Sequence, residues 1–154
     1  MQPIRILVVD DAVVARRVIS DILASEDDFE VVGTAPDGNL ALTKIARLRP
    51  DMVTLDIDMP ELDGMQTLTA IRSRYPEIRV IMVSNHTRRG AAITVEALFN
   101  GASDYVTKAA RTSSADEARR YLREQLVPKI RALVPGASPV VSVARPQAAH
   151  LISR

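Results

Sequence analysis

Five apolar segments alternate along the chain with segments whose apolar residues recur at helical spacing. The apolar segments are rich in β-branched residues, and most lack the polar alternation of a half-exposed strand. They cover Ile4–Val9, Phe29–Ala35, Asp51–Asp56, Ile78–Ser84 and Ala102–Val106. Strands of this composition are buried on both faces, as in a parallel sheet covered by helices. The pattern therefore predicts an α/β protein with a five-stranded parallel sheet.

The segments between the strands predict five helices. The first follows Asp11 and carries an apolar face made of Ala15, Val18, Ile19, Ile22 and Leu23. The others cover Asp37–Leu48, Asp63–Arg74, Arg88–Asn100 and Ser114–Leu133. Gly101 is a suitable C-terminal cap, and Pro128 predicts a kink or a restarted turn inside the last helix. Right-handed crossovers then lead to a doubly wound, flavodoxin-like fold with strand order 2-1-3-4-5 and helices on both faces.

Length and composition agree with one folded domain. The chain has 154 residues, of which we assign 1–133 to the domain and 134–154, with several prolines and no strong period, to a linker or loose C-terminal tail. It has no cysteine, no secretory signal and no apolar run long enough to span a membrane, so we expect a cytoplasmic protein without membrane contact. A net charge of +1 and 3% aromatic residues argue against direct nucleic-acid binding.

Residues with phosphoryl-transfer chemistry follow four of the predicted strands. Asp10 and Asp11 follow the first strand, Asp56 ends the third, Ser84 ends the fourth, and Lys108 lies just beyond the fifth. Because the carboxyl ends of parallel strands share one edge of the sheet, we expect these side chains to converge. Converging carboxylates repel one another, and Mg²⁺, which prefers oxygen ligands, would compensate.

The same residues also have ordinary structural interpretations when each is taken alone. The Asp pair can cap the first helix, Asp56 can cap a turn, Ser84 can lie in a turn, and Lys108 can be solvated. Their common position at one edge favours a shared site. A carboxylate there could accept a phosphoryl group, while Mg²⁺, Lys108 and Ser84 each engage one of its oxygens. Arg residues number 17 against 3 Lys, which makes a lysine at this edge more conspicuous.

These motifs resemble the receiver domain of two-component response regulators over about residues 4–133. The matching features are Asp10-Asp11, Asp56-x-x-Met59-Pro60-x-x-Asp63-Gly64, Ser84 and Lys108, in the family's order and spacing.

The resemblance implies that Asp56 accepts a phosphoryl group from the phosphohistidine of a histidine kinase. It further implies that Asp11, Asp56 and the backbone carbonyl of Asp58 bind Mg²⁺, with Asp10 acting largely through water. Lys108 would contact the phosphoryl group. Ser84 would move toward it, and Tyr105 would change rotamer in response, which is the family's switch.

Three segments are more narrowly similar to the receiver half of the CheB family of chemotaxis methylesterases. They are 53–64, 101–108 and 122–133. This similarity implies a CheA-like kinase, a methylesterase output domain and chemoreceptors as more distant partners. The esterase's glycine-rich serine motif is not in this sequence, and His86 and His150 do not make a triad, so we expect only self-catalysed phosphorylation and dephosphorylation from this chain. The alternative is a stand-alone receiver, or one with another output such as DNA binding, acting through protein contacts.

The sequence departs from the family pattern beside the expected site. Ala109 stands where receivers usually have proline, and because a cis bond before alanine costs about 2.5–4 kcal/mol, we predict a trans 108–109 peptide and a shifted loop. Asn85 is larger than the usual residue there. Asp58 and His86 would flank the hydrolytic water, and we hypothesise that Asn85 and Asp58 slow autodephosphorylation. A cluster of arginines around the last helix is a solvated face or a partner surface; it comprises Arg111, Arg119, Arg120 and Arg123.

Overall fold

Strands and helices alternate throughout the part of the chain that the structure describes. This structure is a computed structural model, and the described residues are 2–57, 59, 64–84, 88–108 and 114–135. The strands are β1 (Ile4–Val9), β2 (Phe29–Ala35), β3 (Met52–Asp56), β4 (Arg79–Ser84) and β5 (Asp104–Thr107). The helices are α1 (Val13–Ala24), α2 (Gly38–Leu48), α3 (Gly64–Arg74), α4 (Arg88–Phe99) and α5 (Ala115–Leu133).

The strands form one parallel sheet in the order β2-β1-β3-β4-β5. This confirms the predicted fold class and strand order. β3 is buried along its whole length and β4 from its second residue onward, as their continuous apolar sequences predict. β2 and β5 are partly exposed because each lies at an edge of the sheet and has a strand on one side only.

Two apolar clusters cover the two faces of the sheet. One packs β1, β3 and β4 against α1 and α5, and it includes Ile6, Val8, Ile19, Leu126 and Ile130. The other packs the opposite side of the same strands against α2, α3 and α4, and it includes Leu7, Leu55, Ile45, Leu68 and Ala97. Since successive residues of a strand point to opposite faces, each central strand contributes to both clusters.

The fifth strand begins two residues later than the sequence predicts. After α4 the backbone forms a glycine cap, in which Gly101 has φ of 106°, its N–H donates to Leu98 O (3.2 Å), and Ala102 N–H donates to Ala97 O (3.1 Å). Ala102 therefore still belongs to the helix end, and β5 starts at Asp104. It also extends to Thr107, which pairs with Ser84.

Helix α5 runs through Pro128 without an interruption, so the predicted restarted turn is absent. Ser114 begins it with a capping box, accepting from Glu117 N–H while its own N–H donates to the Glu117 carboxylate. Buried Val127 and Ile130 on either side of Pro128 anchor both halves in the core, which offsets the loss of one helical hydrogen bond. Within the described residues no helix is both long and apolar enough to cross a membrane. The assignment of 134–154 to a linker remains a prediction, because residues 136–154 lie outside the described part.

Candidate functional site

Three carboxylates meet at the carboxyl edge of the sheet. Asp10 follows β1 and Asp56 is the last residue of β3, and these strands are neighbours. One oxygen from each of Asp10, Asp11 and Asp56 lies within 4.8 Å of the others. Asp10 and Asp56 are buried, with 0% and 4% of their surfaces exposed, whereas Asp11 is exposed. The convergence predicted from the strand ends is present in the structure.

The chain around Asp10 is fixed by backbone contacts on several sides. Asp10 N–H donates to Ala35 O (3.1 Å), and Asp10 O accepts from Arg16 Nη1 (2.8 Å). Asp10 Oδ1 accepts from Ala12 N–H (2.9 Å) at the start of α1. One carboxylate oxygen thus closes an Asx turn onto Ala12, while the other belongs to the site; Ala12 is itself the N-cap of α1 and α1 has no side-chain cap, so the predicted capping role of the Asp pair is not seen.

Lys108 supplies positive charge to this site. Its N–H donates to Ser84 O (2.8 Å), which fixes the end of β5 to the end of β4. Its Nζ lies 3.2 Å from Asp10 Oδ2. The Lys108 ammonium is thus an ion-pair partner of this buried Oδ2 atom, which accepts no hydrogen bond from the described residues.

Ser84 places a buried hydroxyl at the carboxyl end of β4, the strand next to the one that ends in Asp56. It ends β4, one residue beyond Val83, which pairs with Asp56. Only 1% of its surface is exposed, and within the described part of the chain its Oγ has no hydrogen-bond partner. A buried hydroxyl without a partner is costly, so this atom is available to a group entering the site.

Gly64 determines how closely α3 approaches the end of β3. Its N–H donates to Ile57 O (3.2 Å), and a Cβ at this position would lie 2.5 Å from Asp56 O and 2.6 Å from Ile57 O. Only glycine allows this approach. The sequence carries Gly64 as part of a motif, but the steric reason becomes visible only in the structure.

The remaining predicted residues divide into one that the structure describes and several that it does not. Tyr105 lies in β5 with 40% of its surface exposed. Asp58, Asn85, His86 and the 108–109 peptide lie outside the described residues, so the predictions made for them remain predictions.

The donor set fits a hard divalent cation. It consists of carboxylate oxygens, two of them on buried residues, and one buried oxygen has no hydrogen-bond donor among the described residues. The formal charges of three carboxylates and one ammonium sum to −2, which a divalent cation balances. Mg²⁺ binds through a few carboxylates and retains waters, which leaves positions for phosphate oxygens.

A family model for the response regulator receiver domain matches residues 6–120. The chain belongs to this family. The solved receiver domain of CheB from Thermotoga maritima is 46% identical, with a TM-score of 0.77 over 87% of this chain and 98% of that one. A CheX-CheY-BeF3-Mg complex from Borrelia burgdorferi is 27% identical, with a TM-score of 0.71 over 86% of this chain and 90% of that one.

A curated relative extends well beyond the matched region. A protein-glutamate methylesterase/protein-glutamine glutaminase from Nocardioides sp. is 51% identical over 135 residues, which is 88% of this chain and 37% of that protein. This chain therefore spans a little over a third of that relative's length. With the Thermotoga structure, this identifies a receiver domain of the CheB type.

Proposed function

We propose that this chain accepts a phosphoryl group on Asp56 from the phosphohistidine of a histidine kinase, with Mg²⁺ bound at the acidic site, and that phosphorylation switches an output domain. The observation that carries the proposal is the convergence of Asp10, Asp11 and Asp56, within 4.8 Å of one another, beside the Lys108 ammonium. An acidic cluster of this kind repels phosphate unless cations balance it, so the site is built for a metal-assisted reaction.

The transfer needs little covalent chemistry from the protein. One Asp56 oxygen forms a bond to phosphorus while the bond from phosphorus to the donor imidazole nitrogen breaks, and the electron pair leaves with the imidazole. Charge on the equatorial oxygens must be neutralised, and by the family resemblance Lys108 would contact one of them. The Ser84 hydroxyl, which has no partner within the described part of the chain, would donate to another. Bound Mg²⁺ supplies further charge neutralisation; by the family resemblance Asp11, Asp56 and the carbonyl of Asp58 hold it, and Asp10 acts through water.

The proposal for the output domain is supported by the similarity to relatives rather than by the geometry of the acidic site. The Nocardioides relative is a methylesterase and glutaminase of which this chain matches a little over a third. We infer that the receiver regulates a methylesterase of that kind, that a CheA-like kinase is the donor, and that chemoreceptors are reached through the output domain. The Borrelia complex, which is a complex of CheX and CheY with BeF3 and Mg²⁺, supports the same chemistry at the acidic site.

Intact-mass measurement after incubation with acetyl phosphate and Mg²⁺ tests the proposal. We expect a gain of one phosphoryl group that disappears with EDTA and in Asp56→Asn. The matched control is Asp51→Asn. Asp51 directly precedes the first residue of β3, at the opposite end of the strand from Asp56, and its side chain accepts from Arg5 N–H. This control should be phosphorylated like the wild type. No mass gain at millimolar Mg²⁺, or an equal gain in Asp56→Asn, would contradict the proposal.

The lifetime of the phosphorylated form is a separate test. We propose that Asp58 and Asn85 slow hydrolysis, since an acid repels hydroxide and a larger side chain narrows access, while His86 orients water or is solvated. Asp58→Asn and Asn85→Ala should each release phosphate faster than the wild type. Unchanged release rates in both variants would refute this.

A further inference from the structure

One lysine on α5 contacts both the first residue and the exposed tyrosine of β5. Lys129 Nζ lies 3.3 Å from each carboxylate oxygen of Asp104. The same ammonium lies 5.5 Å from the centre of the Tyr105 ring, within the range of a cation–π interaction. Lys129 and Asp104 are both partly buried, which strengthens the pair relative to one fully in water.

Asp104 connects this ammonium to the backbone of Tyr105. Its Oδ1 accepts from Tyr105 N–H (2.8 Å). β5 is the edge of the sheet beyond β4, so this carboxylate occupies a backbone donor that has no strand to pair with. Lys129 therefore holds Tyr105 at two points, through the ring directly and through the backbone by way of Asp104.

A second contact joins the same helix to the other end of β5. Tyr121 Oη and Thr107 Oγ1 are 3.3 Å apart. Positions 121 and 129 lie on one face of α5, since residues spaced by four and eight positions fall on the same stripe of a helix. Thr107 pairs with Ser84, and Lys108 follows it, so β5 connects the Lys129 contacts with the acidic site.

We propose that Lys129 is a positioning residue that holds the Tyr105 side chain at the surface in this form of the chain and so opposes the switch. The inference rests on the proposed function and on the rotamer change of Tyr105 that the family resemblance implies on phosphorylation. A contact made in only one of two states shifts the equilibrium toward that state. Lys129 therefore favours the outward tyrosine, and removing its charge favours the inward one.

The first test needs no phosphorylation. The chain has three tyrosines, so fluorotyrosine labelling produces three ¹⁹F signals, of which Tyr105→Phe identifies one. In the metal-free protein, Lys129→Met should move the Tyr105 signal toward its position in wild type saturated with beryllofluoride and Mg²⁺. Lys129→Arg should move it less, because arginine retains the charge. Asp104→Asn should move it in the same direction as Lys129→Met, since it removes the partner that positions the ammonium.

The matched control is Arg123→Met. Arg123 is also a cation on α5 paired with a carboxylate, but its partner is Glu26 rather than a residue of β5. This variant should leave the Tyr105 signal unchanged. A Tyr105 signal that is the same in Lys129→Met and in wild type would overturn the inference, whatever the outcome of phosphorylation.

The second test links the contact to the reaction. With acetyl phosphate at fixed Mg²⁺, Lys129→Met should be phosphorylated about two- to fivefold faster than wild type, because more of the chain is already in the receptive state. Arg123→Met should keep the wild-type rate. If wild type reacts and Lys129→Met reacts at the same rate or more slowly, the inference fails while the proposed function stands. If wild type does not react, the proposed function fails, and the fluorine signals alone decide the role of Lys129.

Discussion

Lys108 Nζ lies 3.2 Å from Asp10 Oδ2, although the two residues follow strands that β3 and β4 separate in the sheet. The contact joins the two sides of the acidic site above the strand that carries Asp56. The Lys108 ammonium brings a positive charge to the point where the carboxylates converge. A bound metal cation would compete with this ammonium for the same carboxylate oxygens.

Removal of this ammonium should therefore strengthen Mg²⁺ binding. Lys108→Met eliminates the repulsion between two cations in one site, and we expect an affinity about three- to tenfold higher at low salt, with a smaller gain at high salt. Isothermal titration calorimetry measures it. Arg79→Met removes the same charge at the opposite end of the sheet and should leave the affinity unchanged; an equal or weaker affinity in Lys108→Met would show that the ion pair does not oppose the metal.

Substitution of Gly64 should disturb the end of β3 through the backbone. The Cβ of Gly64→Ala would lie 2.5 Å from Asp56 O, and neither backbone segment can move without the other, so we expect a loss of about 1–3 kcal/mol of stability and weaker Mg²⁺ binding. Urea denaturation and calorimetry measure the two effects. In Gly33→Ala the nearest atom is the flexible end of Leu48 at 3.1 Å, so this control should lose less. Equal losses would indicate that the close approach is not the cause.

Thr54 offers a test of buried polarity beneath the site. It lies in β3 between Val8 and Ile81, and its Oγ1 is buried with no partner among the described residues. Thr54→Val replaces this hydroxyl with a methyl group and should stabilise the fold by about 1 kcal/mol. Thr67 is also buried but does have a partner, so Thr67→Val should destabilise. A destabilised Thr54→Val in urea denaturation would contradict this reasoning.

Stability should depend on pH through the contact between α5 and the loop before β2. Arg131 donates to both oxygens of Asp28 (2.8 and 2.9 Å) and holds the pKa of that carboxyl below its ordinary value. Asp28 therefore binds its proton more readily in the unfolded chain than in the folded one. The stabilisation that this carboxylate contributes to the fold is complete above the unfolded pKa of about 4, and it is lost as the pH falls through the lower folded pKa.

Thermal denaturation across this acid range measures the effect. Asp28→Asn should flatten the pH dependence, whereas Asp27→Asn, which alters a neighbouring carboxylate that is not a partner of Arg131, should retain it. Arg131→Met should lose about 1 kcal/mol at neutral pH, an amount that salt reduces. A wild-type slope in Asp28→Asn would assign the acid sensitivity to other groups.

Local pattern was enough to predict most of the architecture. Apolar runs such as Met52–Asp56 reflect burial on both faces, and helical periodicity in Val13–Ala24 reflects a single buried face, so the order of elements follows from exposure alone. The convergence of Asp10, Asp11 and Asp56 could also be predicted, because parallel strands place their carboxyl ends at one edge. The boundaries of the elements were predicted less accurately than their order. β5 begins at Asp104 because the hydrogen bonds of the Gly101 cap extend the end of α4, and apolar content along the chain does not reveal such hydrogen bonds.

The elements, their order and the acidic edge of the sheet could be predicted from the amino-acid pattern, since these depend on local burial and on a general rule of topology. Three contacts could be seen only in the folded chain: Lys108 with Asp10, Gly64 with the Asp56 carbonyl, and Lys129 with Asp104 and Tyr105. Each of these contacts joins residues from different elements. Their distances depend on how helices and loops pack over the sheet, which periodicity along one segment does not specify.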